Sequence, residues 1–237
     1  MRQVPEIAII GAGRVARHFA YYFDLIYLPY LQWSRTHDPQ ALQLPELLAN
    51  AKSILILIKD SAIEPFIQKH QTLFKNKILI HFSGHLVTPL AYGAHPLMTF
   101  NNESYDLATY QKIPFILDDG IPALNKLIPE LTNPYYYLNK NQKAFYHSLC
   151  VMSGNFTCLL WQKFIIELEN NLKLPSEIIN PYLEQIFYNL RNQPQMALTG
   201  PLARNDQTTI NANLKALEHD DFLPVYRAFI AAYSKQG

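Results

Sequence analysis

Two glycines one residue apart, Gly11-Ala12-Gly13, close a short apolar run and open a segment of helical character, with Ala16 where a third glycine would stand. Glycines so placed let the backbone turn sharply and let a pyrophosphate approach the next helix, whose free N–H groups and dipole favour an anion. Gly11, Ala12, Gly13, Arg14 and Val15 are therefore expected to hold a dinucleotide. About 20 residues beyond such glycines, an Asp or Glu would read an unphosphorylated adenosine ribose. Here the second apolar run ends Trp33-Ser34-Arg35, and no acid follows before Asp38. A guanidinium stacks on adenine and grips a 2′-phosphate, and a hydroxyl adds a hydrogen bond. Ser34 and Arg35 point to NADP(H).

These residues need elements to position them. Ile7–Ile10 reads as a strand, and Arg14–Tyr22 as a helix with Val15, Phe19 and Tyr22 on one face. Ile26–Trp33 is a second apolar stretch, interrupted by Pro29. Ser53–Ile58 and Lys77–Phe82 are apolar on both faces, as central parallel strands are, and Ile113–Leu117 is a weaker case. Ser61–Lys75 is long enough for a crossover helix. Strands alternating with helical connections predict a doubly wound parallel α/β sheet of Rossmann type over residues 1–138. After Tyr135-Tyr136-Tyr137, read as packing at a domain junction, the pattern turns helical. Asn141–Leu168 carries Phe145, Leu149, Met152 and Phe156 at three- and four-residue steps, and further helices are expected over Pro175–Leu190, Thr208–Leu217 and Pro224–Tyr233. Residues 139–237 are thus expected to form an all-α domain for substrate and dimerisation.

The composition narrows the function classes. Among 237 residues, 20 Lys and Arg against 19 Asp and Glu leave a net charge of +1, with 49% hydrophobic and 16% charged residues. No basic block offers nucleic acid a footprint, so no nucleic-acid partner is expected. Two cysteines, Cys150 and Cys158, are too few for a disulfide framework; they read as small core residues in a reducing compartment. The opening apolar run is short for a signal peptide, and no run reads as a membrane span. A soluble, cytoplasmic protein is expected.

Six motifs carry a resemblance that spans nearly the whole chain. They are GAGRVA from Gly11, WSR from Trp33, HFSG from His81, AHPLMTF from Ala94, YHSLCVMSGNF from Tyr146 and LTGPLARND from Leu198. Together they resemble a group of Rossmann-like proteins whose helical C-terminal domain carried no assigned function. That group is related to the 6-phosphogluconate dehydrogenase-like reductases, which include ketopantoate reductase and pyrroline-5-carboxylate reductase; some members resemble an alternative ketopantoate reductase. The resemblance implies the fold, an NADP-type cofactor and a homodimer built through the helical domain.

It also places the substrate cleft near the long helix. His147 lies on its first turns, and an imidazole there suits a general acid that protonates a carbonyl oxygen as hydride reaches its carbon. Asn155 is a second candidate, to fix the substrate's oxygen; on an ideal helix it lies about 80° around and ~12 Å along from His147. Many reductases of this superfamily set a Lys and an Asn one turn apart. Here the lysine is Lys143 and His147 stands one turn on, so the donor is His147 or Lys143. In the break between helices, Thr199 and Arg204 are candidates for gripping a substrate carboxylate, whereas Asp206 reads as a helix cap. Ile58, Lys59, Ser83 and His95 are expected to line the cofactor cleft beyond the strand ends. His81, His85 and His95 lack the spacing and companions of a metal site, so no metal is expected.

The expected function is NADPH-dependent reduction of a small 2-oxo acid, with ketopantoate to pantoate (2-dehydropantoate 2-reductase, of pantothenate and coenzyme A synthesis) as the leading substrate. The alternatives are an imine reductase of the pyrroline-5-carboxylate kind and a non-catalytic NADP-binding regulatory protein.

Overall fold

A computed structural model describes residues 5–35 and 43–234. Asp38 lies outside them. The chain divides into two compact units, residues 1–160 and 161–237.

The first unit is built on a seven-stranded sheet. Its strands are β1 (Ile7–Ile10), β2 (Tyr30–Trp33), β3 (Ser53–Ile56), β4 (Ile78–His81), β5 (Tyr92–Pro96), β6 (Phe115–Asp118) and β7 (Tyr135–Leu138). They lie in the order β2-β1-β3-β4-β5-β6-β7. All neighbours run parallel except β5 and β6, which are antiparallel. Ile7 and Ile9 of β1 enter one core layer, and Ala8 and Ile10 the other. That alternation on a strand buried on both faces is why these runs are apolar throughout. On one face packs α1 (Arg14–Leu25), whose Phe19, Tyr22 and Phe23 meet Tyr110, Phe115 and Phe82. On the other lie α2 (Leu44–Leu48) and α3 (Asp60–Lys69), with Leu47, Leu48, Ile63 and Ile67 against Ile54 and Ile56. Fully burying each such side chain is worth about 1.5–3 kcal/mol. The short helices α4 (Leu107–Lys112) and α5 (Leu124–Leu127) flank β6.

Two strands run against the sequence reading. The tyrosine run is not junction packing but strand β7, whose Tyr136 and Tyr137 are exposed; aromatic residues suit such a half-open pleated surface. The segment of β5, Tyr-Gly-Ala-His-Pro, holds a glycine and a proline that disguise it as a loop.

The last strand ends at Leu138, and helices follow. In α6 (Lys143–Cys150) the chain is α-helical. It widens into a π-helical turn over Val151–Phe156 and resumes as α7 (Thr157–Asn170). This 31-residue helical stretch, Lys140–Asn170, is long and apolar enough by length and composition to cross a membrane, which corrects the expectation that no such run exists. Cys150 is half-buried and Cys158 exposed, so the latter is not a core residue.

Within the second unit, Trp161 packs edge-on to Tyr182. Lys163 bridges Glu167 and Asp220, each at 2.7 Å. Its helices are α8 (Asn180–Asn192), α9 (Gly200–Ala203), α10 (Gln207–Ala216) and α11 (Leu223–Tyr233).

Candidate active site

A cavity of about 950 Å³ opens at the carboxyl ends of β1, β2, β3 and β4. Its wall contains Gly11, Ala12, Gly13, Arg14 and Val15, then Ser34 and Arg35, then Ile58, Lys59 and Ser83. Ten of the residues expected to hold a cofactor thus face one space. The glycines have separate reasons. Gly11 takes φ +132°, and a Cβ there would collide with the Leu57 carbonyl, so the turn admits only glycine. Gly13 is the N-cap of α1, and a Cβ on it would meet nothing within 4 Å. That open space lies over free helix N–H groups, as the phosphates of a dinucleotide require. Gln32 steadies the turn by donating from Nε2 to the Gly11 carbonyl at 2.7 Å. Lys69 and His70, at the end of α3, also line the cavity, so it holds a cation besides Arg35.

Ser83 connects this cavity to a cluster of imidazoles. Its hydroxyl donates to Asp60 Oδ2 at 2.6 Å, and His85 Nδ1 lies 3.1 Å from the same oxygen. His147 of α6 lies over Gly84, with its ring 5.7 Å from that of His85 and 5.9 Å from that of His95. His95 Nδ1 lies 2.9 Å from the Tyr146 hydroxyl. Burial, then the neighbouring His147 and Lys143, push His95 down to about 4, and burial lowers His147 as well. At both positions burial favours the neutral imidazole.

Lys143, the other candidate donor, is buried: its side chain is 3% exposed, and its ammonium lies 2.6 Å from Asp118 Oδ1, itself 5% exposed. Burial lowers its pKa, and Asp118 opposes that shift. Gly93 makes room, because a Cβ there would strike both Asp118 and Lys143. Neighbouring His81 is fully buried with no hydrogen-bond partner on either ring nitrogen, and burial pushes it down to about 3.

The other expected residues fare differently. His95 is absent from the cavity wall and belongs to the imidazole cluster. Asn155 is exposed within the π-helical turn, so the ideal-helix spacing from His147 does not hold. Thr199 and Arg204 belong to the second unit, where both are exposed. Asp206 caps α10 by accepting from the Thr209 backbone N–H at 3.0 Å. Among the described residues no cluster of metal-ligating side chains occurs. Tyr146 and Asp118 were not anticipated. One signal was available: Lys143, Tyr146 and His147 share a helix face at three- and four-residue steps.

Comparison with solved structures identifies the architecture. A Bacteroides fragilis protein to which an NADP oxidoreductase activity is ascribed superposes with a TM-score of 0.75 at 19% identity, over 97% of each chain. The fold is Rossmann-like. Plasmodium falciparum pyrroline carboxylate reductase, solved with NADP bound, gives a TM-score of 0.61 at 11% identity, over 98% of this chain and 96% of that one. An imine reductase from Streptomyces aurantiacus gives 0.62 at 14% identity, over 97% and 93%. Residues 117–232 match a family model described as a domain of unknown function, DUF2520. Comparison with curated proteins returns no match.

Proposed function

We propose that the chain is an NADP(H)-dependent reductase of a small substrate with a C=N or C=O bond. One observation carries this reading: a single cavity, of a size suited to such ligands, joins the glycine turn, Ser34-Arg35 and the Ser83–Asp60 contact beside the imidazole cluster. Gly11 to Val15 hold the pyrophosphate at the start of α1. Arg35, with Ser34 and Lys69, receives the 2′-phosphate and gives the preference for NADP(H) over NAD(H). When bound, the cofactor supplies the hydride. Ile58, Lys59 and Ser83 line the nicotinamide end, and the neutral imidazole of His147 binds the substrate's reacting heteroatom, accepting from a protonated imine through its bare nitrogen or donating to a carbonyl oxygen through its N–H.

Between substrate classes, the imine is the better supported. A protonated imine carries its own proton, so a site of neutral imidazoles need not deliver one from a charged acid. Pyrroline carboxylate and imine reductases share the fold. Reduction of ketopantoate or another 2-oxo acid rests on the motif resemblance, with Arg204 and Thr199 as carboxylate ligands and Asn155 as a further polar contact. Oxidation of NADPH, followed by absorbance with cyclic imines and 2-oxo acids, tests the assignment. Turnover of an imine supports it, turnover of ketopantoate alone replaces it, and binding without turnover leaves a regulatory NADP-binding protein.

We also infer a soluble cytoplasmic homodimer rather than a membrane protein. Phe145, Leu149, Met152 and Phe156 are 67%, 47%, 57% and 49% exposed along the stretch that begins at α6, a face that a second copy would cover. Free thiols suit a reducing compartment. Light scattering that gives a monomer at all concentrations contradicts the dimer.

A further inference from the structure

Asp60 is the only acid, among the described residues, on the wall of the cavity that holds the glycine turn. It opens α3 just past the end of β3, beside Ser83 and away from the glycines. A second cavity, of about 570 Å³, shares Lys59, Asp60 and Pro65 with the first and adds Glu64 and His85. Asp60 thus faces both spaces, with its side chain 38% exposed.

Its two carboxylate oxygens are used differently. Oδ2 accepts from the Ser83 hydroxyl at 2.6 Å and lies 3.1 Å from His85 Nδ1. Ser83 gives its one hydrogen to that bond, and its oxygen accepts from the backbone N–H groups of Leu86 at 3.0 Å and His85 at 3.4 Å. A hydroxyl has one donor and two acceptor positions, so Ser83 has none left for a ligand. Oδ1 of Asp60, by contrast, has no partner among the described residues, and no side-chain hydrogen bond caps the start of α3. An acceptor so placed is best satisfied by a charged donor.

The Asp60 charge also reaches the imidazoles. Burial lowers His147 and His95, and Asp60 opposes that at both. A protonated imine held at His147 therefore lies in the field of an opposite charge. A 2-oxo acid carries its carboxylate on the reacting carbon and meets a like charge there. Lys59, on the same two walls, is the rival that would draw a carboxylate in; in the second cavity Asp60 and Glu64 outnumber it.

We propose that Asp60 is the specificity-determining residue of this site: its Oδ1 receives a cationic substrate, a protonated imine rather than a 2-oxo acid, where the two cavities join. The proposal rests on the reductase reading and names its substrate class. The covalent step balances without a proton from the chain. The hydride forms the new C–H bond, the C=N π pair becomes the nitrogen lone pair beside the proton already there, and NADPH is oxidised to NADP⁺ as the imine is reduced to an amine.

Titration of the full chain loaded with NADPH tests this with three probes. Pyrrolidinium is a cation with the ring of reduced 1-pyrroline, cyclopentanol a neutral ring of the same size, and oxamate an unreactive isostere of a 2-oxo acid. Pyrrolidinium is expected to bind roughly tenfold or more tightly than either of the others. Asp60→Asn is expected to weaken it by roughly tenfold or more, while NADPH affinity does not fall, because a negative charge has left a wall that faces an anionic cofactor. Failure of pyrrolidinium to bind, or oxamate bound as tightly, overturns the proposal; loss of that oxamate binding in Lys59→Ala would make Lys59 the recognising residue instead. Pyrrolidinium binding unchanged in Asp60→Asn overturns it as well, and a parallel fall in NADPH affinity makes Asp60 a structural residue and does the same. If Asp60→Asn does not fold, the wild-type ranking of the three probes decides. If NADPH does not bind, the reductase reading falls, and the same ranking on the cofactor-free chain judges Asp60 separately.

Discussion

Gly84 and His147 are in mutual contact across the cleft: a Cβ on Gly84 would lie 2.8 Å from His147 Nε2 and closer still to Cδ2. The glycine after β4 therefore sets how near α6 approaches the sheet. Gly84→Ala is expected to displace the imidazole and destabilise the first unit by about 1–3 kcal/mol, the range for overpacking a filled site. Thermal unfolding checks this, and an unchanged midpoint contradicts the contact.

Stability is expected to depend on pH through His81 and His95. Both are held below the ordinary histidine value, at about 3 and about 4. The unfolded chain binds their protons as pH falls below about 6.5, and the folded chain does not until far lower. The stabilisation is therefore complete above about pH 6.5 and is lost on acidification toward about 4. Urea midpoints measured from neutral to acid pH should decline, and His95→Gln should flatten the decline. A flat wild-type profile contradicts the assignment.

The buried ion pair makes an asymmetric prediction. Lys143→Met alone leaves the Asp118 carboxylate buried and unpaired, at an expected cost of about 3–5 kcal/mol, whereas Lys143→Met/Asp118→Leu should recover most of it. A double-mutant cycle by chemical denaturation measures the difference. Equal losses in the single and double variants contradict the pair.

How far the sequence could be read depended on range. The glycine turn and the runs around Ile54 and Leu79 were legible, since strand periodicity and turn chemistry are local properties. The place of Ser34 and Arg35 on the cavity wall was legible because the spacing from a glycine turn to the end of the second strand is nearly constant within the βαβ unit. Lys143 was legible as a candidate donor, but its ion pair was not, because only the folded sheet brings Asp118 beneath it and only Gly93 leaves the room. The π-helical turn at Val151–Phe156 was equally hidden, because its residue pattern also suits an α-helix.

His147→Ala is expected to lower kcat by about 10²–10⁴-fold with NADPH affinity preserved, since the imidazole lies beside and not within the cofactor cavity. Steady-state kinetics together with a binding titration separate the two parameters. Full activity in this variant removes His147 from the account.

The central claim is that the cavity above Gly13 takes NADP(H) and selects it through Arg35. Fluorescence titration of wild type and Arg35→Ala with NADPH and NADH tests it most directly. Saturable NADPH binding is expected, stronger than NADH binding. Arg35→Ala should weaken NADPH by about 1.5–3 kcal/mol, roughly tenfold or more, and leave NADH nearly unchanged. Absence of NADPH binding, or equal losses for both cofactors, would contradict the account.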